Sequence, residues 1–433
     1  MRIERNDMNT NGRIALIRNS RRVALYQGLS DDYAAIEPPV WMMMREQMLK
    51  ADGKQVFIID NEVENLTTYG IIEKLQHLKI SKVEIYPTGN HPSAYIQQRD
   101  GVENFAEHIK SVIPDVQIKY KLDFRPTDIE ADWSSFKMNR YKAHNWHCDW
   151  GNKPRSPYGV IFTSIGCPYS CKFCCIKDFY GERYVERDLE MVLDEIDILV
   201  EQNDIKNFKM MDELFFYKKD RVNELCDMLI ERDYGLNIWA YARIDTVQDF
   251  LLDKMRKAGF RWLGIGIESG NEAIRKKSMK GNFTNKKIKS VLQNITDNGI
   301  YVGGNFIFGF PEDTCETMQE TLNFAKDLKC EFNNLYTMMA YPGSELYELA
   351  VKSEWKLPPT WSAYSQYSYD CHPIRTQHLE NVEVLRFRDK AFNSLYSDIS
   401  YLSYIEKTFG RKAVGSIKEM TAVKLKRKLL EAK

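Results

Sequence analysis

The chain has 433 residues, 43% of them hydrophobic, and its 61 Lys+Arg are balanced by 61 Asp+Glu. That length suffices for two to three domains with large buried cores, and the balance excludes the global basic field of a nucleic-acid binder. The start Met1-Arg2-Ile3-Glu4-Arg5-Asn6-Asp7 lacks a signal peptide's apolar stretch, no apolar run reaches the ~20 residues of a membrane span, and the nine cysteines suit a reducing cytoplasm better than a disulfide framework.

Residues 1–125 read as a small α/β domain. Short apolar runs at Ile14–Ile17, Val56–Ile59, Val83–Tyr86 and Val116–Tyr120 predict strands. Between them Val40–Lys50, Tyr69–Leu78 and Val102–Val112 predict helices. Strand and helix in alternation imply a parallel, doubly wound, Rossmann-like sheet. Residues 126–157, with Pro126, Trp133, Trp146, Trp150, Pro154 and Pro157, read as a connector draped over the next domain.

A longer alternation occupies residues 158–352. Its predicted strands are Gly159–Ser164, Asn207–Met211, Asn237–Tyr241, Trp262–Ile267, Tyr301–Phe308 and Asn333–Met339. In one intervening helix Leu189, Val192, Leu193, Ile196, Leu199 and Val200 keep helical spacing. Six β/α units predict a partial (β/α)6 barrel, with its chemistry at the C-terminal ends of the strands. Residues 353–433 read as helical, and the basic run Lys424-Leu425-Lys426-Arg427-Lys428 as a solvated helix face.

Directly after the first barrel strand stands Cys167-Pro168-Tyr169-Ser170-Cys171-Lys172-Phe173-Cys174. A tight C-x3-C-x2-C loop can aim three thiolates at three irons of one [4Fe–4S] cube, leaving the fourth iron open to a ligand. The rival is a zinc knot, but zinc takes four N or S ligands, and Cys175 is too close in sequence to Cys174 to chelate well beside it.

The cysteine spacing resembles that of the radical S-adenosylmethionine (SAM) superfamily, in which the open iron takes the amino and carboxylate groups of SAM. Later strand ends extend the resemblance over residues 158–352. Asp212 and Glu213 in Met211-Asp212-Glu213-Leu214-Phe215 look like the acidic pair that accepts from the SAM ammonium. Arg243 stands where a guanidinium would hold the SAM carboxylate. Gly264-Ile265-Gly266-Ile267-Glu268-Ser269-Gly270 is similar to the family's ribose-binding segment, with Glu268 and Ser269 in it. Asn305-Phe306-Ile307-Phe308-Gly309-Phe310-Pro311-Glu312 resembles the adenine-contacting motif, keeping Ile307, Gly309 and Glu312 but carrying Asn305 in place of its leading glycine. Phe173 is expected beside adenine. The resemblance implies reductive cleavage of SAM to a 5′-deoxyadenosyl radical, with a flavodoxin or ferredoxin as electron donor.

An α/β domain ahead of such a barrel resembles the cobalamin-binding subclass, whose members commonly methylate unreactive carbons. The subclass's D-x-H-x-x-G motif is missing: the first loop reads Arg18-Asn19-Ser20-Arg21-Arg22, and His91 follows the third strand instead. Three readings stay open: cobalamin bound without a histidine below cobalt, a domain that has lost cobalamin, or one that binds part of the substrate. Gly89 to Ser93 reads either as a phosphate cradle or as a tight turn.

On the substrate side, Tyr336, Tyr341, Tyr347, Trp361, Tyr364, Tyr367 and Tyr369 suit a sugar-like small molecule or an internal interface. His144, His147 and Cys148 are candidates for the barrel mouth, and Cys371 for a thiol that returns hydrogen to a substrate radical. The expected activity is C-methylation or a related radical change on a small metabolite. The alternatives are cobalamin-independent hydrogen abstraction and a non-catalytic Fe–S or zinc scaffold.

Overall fold

The computed structural model describes residues 12–87, 89–119 and 128–431. Tyr120 of the fourth predicted strand, Pro126 of the connector, and Thr88 lie outside the described residues.

The first sheet holds β1 (Arg13–Asn19), β2 (Gln55–Asp60), β3 (Lys82–Pro87) and β4 (Gln117–Lys119), all parallel, in the order β2-β1-β3-β4. Alternation along β1 explains the double winding. Ala15 and Ile17 face the helices Thr68–His77 and Val102–Val112, through Ile71, Leu75, Phe105 and Ile109. Ile14 and Leu16 face Met42 and Leu49 of the helix Val40–Ala51 on the other side. The order reverses between β1 and β3, and such sheets bind ligands at that switch point, beyond the C-terminal strand ends.

The second sheet is parallel and six-stranded. Its members are β5 (Tyr158–Ile161), β8 (Asn207–Met210), β9 (Asn237–Arg243), β10 (Phe260–Glu268), β11 (Tyr301–Phe308) and β12 (Phe332–Thr337), in the order β12-β11-β10-β9-β8-β5. The predicted strand Gly159–Ser164 is broken in two. After Ile161 the chain leaves the sheet, and β6 (Ser164–Gly166) pairs antiparallel with β7 (Tyr184–Glu186). The cause is Asp212, whose Oδ1 accepts from the Thr163 N–H at 2.7 Å and whose Oδ2 accepts from the Thr163 and Ser164 hydroxyls, both at 2.6 Å.

The connector plugs the lower end of the barrel. Trp146 stacks on Phe332 at 4.5 Å and meets Trp239 and Trp262 edge-on at 5.2 and 5.1 Å. His147 Nε2 bonds the carbonyl of Asn237, the first residue of β9, at 3.0 Å, and Cys148 is fully buried. His147 and Cys148 therefore sit at the closed end of the barrel and not at its mouth. Of the C-terminal helices Asn381–Tyr396, Ile399–Phe409 and Arg411–Ala422, the first packs on the edge strand β12 and the last on the connector turn Trp146–Gly151. Arg388 Nε and the Tyr396 hydroxyl donate to the Leu335 and Asn333 carbonyls, both at 2.7 Å, occupying groups that an open edge would expose.

Candidate active site

The cysteine loop leaves β6 through Gly166, at φ +85°, where any Cβ would collide with the Arg183 carbonyl. Glu213 Oε2 accepts the Gly166 N–H at 3.0 Å and so anchors the residue before Cys167. A turn closes from the Cys174 N–H to the Cys171 carbonyl at 3.0 Å, and the Lys172 N–H donates to the Ser278 carbonyl at 3.1 Å. Cys167, Cys171 and Cys174 are half-buried. Burial pushes the Cys174 thiol up to about 12 and raises Cys167 as well, so a metal must displace protons to bind there. Among the described residues no three His, Cys, Asp or Glu side chains converge closely enough to hold one metal ion, these cysteines included. Cys175 turns away: it is buried with Ile96, Met339, Tyr364, Cys371 and Leu385.

Arg243 at the end of β9 lies over the Tyr169 ring at 3.7 Å, and its Nη1 donates to the Cys171 sulfur at 3.4 Å. Its bidentate partner belongs to the chain itself: Nε and Nη2 donate to Asp245 Oδ1 and Oδ2, both at 2.9 Å, and Nη2 also reaches the Lys280 carbonyl. That arrangement departs from the expected clamp on a SAM carboxylate. Asp212 departs too, since both its oxygens serve the turn at Thr163 and Ser164. Its neighbour Glu213 faces the cysteine loop instead, and burial raises its carboxyl to about 7. Glu268 ends β10 in the left-handed region, at φ +68°, and pairs with Lys280 Nζ at 2.8 Å. Ser269 is buried, its hydroxyl engaged by Thr321 and the Asn271 N–H, so its side chain holds the turn after β10.

Phe173 meets Phe310 edge-on at 5.7 Å and shares an apolar cluster with Ile307 and Met338. These aromatics and Glu312 border a cavity of about 210 Å³, where the apolar faces of Phe173, Phe310, Met338 and Leu346 meet the charged Lys172, Lys277 and Glu345. Gly309 has a different reason to be glycine: at φ +91° a Cβ would run into Val384 of the covering helix. Cys371 is fully buried behind Cys175, and burial holds its thiol at about 11. The structure does not bring Cys371 to the site, because a thiol enclosed on all sides meets no substrate.

Two residues below Arg243 on the same face of β9, Tyr241 stands where the barrel meets the N-terminal segment, its ring 5.7 Å from Lys209 Nζ and 6.4 Å from the His91 ring. The barrel contributes Lys209, Tyr241 and Tyr336, and the N-terminal segment contributes Tyr26, Glu37 and His91. Lys209 Nζ lies 2.7 Å from Glu37 Oε1 and 4.7 Å from the Trp239 ring centre. Burial alone would lower the lysine's pKa, but Glu37 and Tyr241 outweigh it and raise it. Burial and the Lys209 charge lower His91 to about 4, keeping it neutral; its Nδ1 bonds the Ser93 hydroxyl at 2.8 Å and caps the helix Pro92–Gln97. Of the polar aromatics, Tyr341 is taken up by Gln97 at 2.7 Å, and Trp361 and Tyr364 stack beside it as interface.

Residues 161–325 match the family model described as the Radical SAM superfamily. The chain carries a radical SAM domain. An uncharacterized methyltransferase of Pyrococcus horikoshii is 28% identical over 260 residues, 60% of this chain and 53% of that protein. The chain thus spans about half the length of that relative. Among solved structures, the radical SAM methyltransferase TsrM of Kitasatospora setae, with cobalamin and a [4Fe–4S] cluster bound, superposes with a TM-score of 0.63 at 13% identity. The match covers 95% of this chain and 99% of that one. The cobalamin-dependent SAM radical enzyme OxsB gives a TM-score of 0.64 at 13% identity, over 94% of this chain and 72% of its own. At such identity the likeness is one of fold: first sheet, radical SAM domain and helical cover occur together. Among the described residues no helix is long and apolar enough to cross a membrane.

Sequence reasoning missed Lys209, Glu37, Tyr241, Asp245 and Lys280. A lysine inside the apolar strand Asn207–Met211 was a legible signal for the first. Nothing in the local pattern marked Lys280.

Proposed function

We propose that this radical SAM enzyme is a cobalamin-dependent methyltransferase acting on a small, hydroxyl-rich metabolite. The observation that carries the reading is the stacking of two sites along one strand. On β9, Arg243 stands at the cysteine loop and Tyr241, one layer below, beside the Lys209–Glu37 pair and 6.4 Å from the ring of His91 in the loop after β3.

Cys167, Cys171 and Cys174 would hold a [4Fe–4S] cluster with one open iron, and when bound it supplies the electron that cleaves SAM. Glu213 sets the entry of the loop, Arg243 steadies Cys171, and Glu268 offers a carboxylate to a ribose diol. Phe173 and Phe310 exclude water from the cavity bordered by Glu312. Cobalamin, bound against β1 and β3, would supply the methyl carrier. The lining fits such a group in kind: the half-buried hydroxyls of Tyr26, Tyr241 and Tyr336 have no hydrogen-bond partner among the described residues. Phenols, a neutral imidazole and a matched ion pair also suit a sugar, which offers hydroxyls and flat C–H faces but no charge. A flavodoxin or ferredoxin in the cytoplasm would deliver the electron.

The test is anaerobic reconstitution with and without cobalamin, followed by product analysis. Methylated product only with cobalamin supports the reading. Cobalamin-independent turnover, with substrate deuterium carried into 5′-deoxyadenosine, would move the assignment to hydrogen abstraction. Because the D-x-H-x-x-G motif is missing, the bound Co(II) form should show no nitrogen splitting in its electron paramagnetic resonance spectrum. Splitting that disappears in His91→Ala would contradict that.

A further inference from the structure

The family-like strand ends leave the SAM carboxylate without an obvious protein partner, because Arg243 is committed. Of its five N–H groups, Nε and one on Nη2 serve Asp245, the second on Nη2 serves the Lys280 carbonyl, and one on Nη1 serves the Cys171 sulfur. A single donor remains, too few for a bidentate clamp. Lys280 is a second cation at the same place. It follows the helix Glu272–Lys277, its side chain is 10% exposed, and its ammonium lies across Gly266, where a Cβ would collide with Nζ. One of its three N–H donors meets Glu268 Oε1 at 2.8 Å. The charges of Cys171 and Arg243 both act on it, so it stands within electrostatic reach of the cluster loop. Glu268 is held in the left-handed region at φ +68° at the very end of β10, which turns its carboxylate to the Lys280 ammonium.

We propose that Lys280 is the residue that binds the carboxylate of SAM, by exchanging partners with Glu268. This rests on the radical SAM reading and adds to it a residue and an order of events. Before SAM enters, Lys280 and Glu268 neutralise each other; afterwards Lys280 pairs with the incoming carboxylate and Glu268 is released to the ribose hydroxyls. A pre-existing ion pair removes the difficulty of storing a lone buried charge in the empty site. The ammonium and the Glu268 carboxylate lie directly over Gly266, so the pair occupies the space a side chain there would take.

The experiment is calorimetric titration of SAM into the anaerobic, cluster-loaded protein, with iron counted in every variant. Lys280→Met should weaken SAM binding tenfold or more at unchanged iron content, and Lys280→Arg should restore most of it. In a Glu268→Gln background, where no carboxylate is left to neutralise, Lys280→Met should still cost about tenfold. Unchanged affinity in Lys280→Met, or an effect that vanishes in the Glu268→Gln background, would overturn the proposal and leave Lys280 as a mere counter-ion of Glu268. If cluster-loaded wild-type protein fails to bind SAM, the radical SAM reading itself falls, and this proposal with it.

Discussion

Arg243 donates Nη1 to the Cys171 sulfur at 3.4 Å while Asp245 grips the rest of its guanidinium. The strand end after β9 therefore acts on the cysteine loop directly. A donor aimed at a cluster sulfur stabilises the reduced state, which carries more negative charge. Arg243→Gln should shift the reduction potential to more negative values by an amount on the order of tens of millivolts. A redox titration followed by electron paramagnetic resonance reads it, and an unmoved potential at full iron loading would show that the contact does not matter.

Asp212 behaves as a positioning residue. It satisfies one N–H and two hydroxyls where the chain turns from β5 into β6. Asp212→Ala strands buried donors, each at a cost of about 1–3 kcal/mol. Stability and iron content should fall together, whereas Glu268→Gln should lose SAM affinity at full iron loading. A stable, cluster-loaded Asp212→Ala protein with only SAM binding impaired would return Asp212 to the SAM contacts.

Lys209 and Glu37 join the barrel to the N-terminal segment across 2.7 Å. Lys209→Met takes away the cation beside Glu37, leaving its carboxylate only the Asn90 amide, and should destabilise the protein by about 3 kcal/mol in denaturant unfolding. Adding Glu37→Gln should recover most of the loss. Additive losses would mean that the two residues do not act as a pair.

Asp313 accepts the Gly309 and Phe310 N–H groups, both at 2.9 Å, yet burial raises its carboxyl to about 6. Its folded value lies above its unfolded one, so its contribution is fully present below about 3.8 and is lost as pH rises through about 6. The gap in stability between wild type and Asp313→Asn should therefore shift in the variant's favour by roughly 2 kcal/mol from pH 4 to pH 7. A gap independent of pH would contradict this.

The alternating architecture was legible because period-2 and period-3.6 patterns are local. Val102–Val112 and Tyr301–Phe308 occupy the predicted residues. The break between Ile161 and Ser164 was not legible, since its cause, Asp212, lies far away in sequence. At the site, residue types at strand ends were readable, but partners were not. Arg243 looked free for a ligand carboxylate until Asp245, two positions on, proved to occupy it. Ser269 sat in the right segment but turned its hydroxyl to Thr321 on a later helix. Lys280 reaches Gly266 and Glu268 only through the fold of the loop after Glu272–Lys277.

The three cysteines carry the central claim most directly. Metal and sulfide analysis of anaerobically reconstituted protein should find about four irons and four sulfides per chain. Alanine at Cys167, Cys171 or Cys174 should abolish the cluster and SAM cleavage to 5′-deoxyadenosine, whereas Cys175→Ala should load normally, because Cys175 packs away from the loop. Stoichiometric zinc with no iron after strictly anaerobic purification, or loss of the cluster in Cys175→Ala alone, would contradict it.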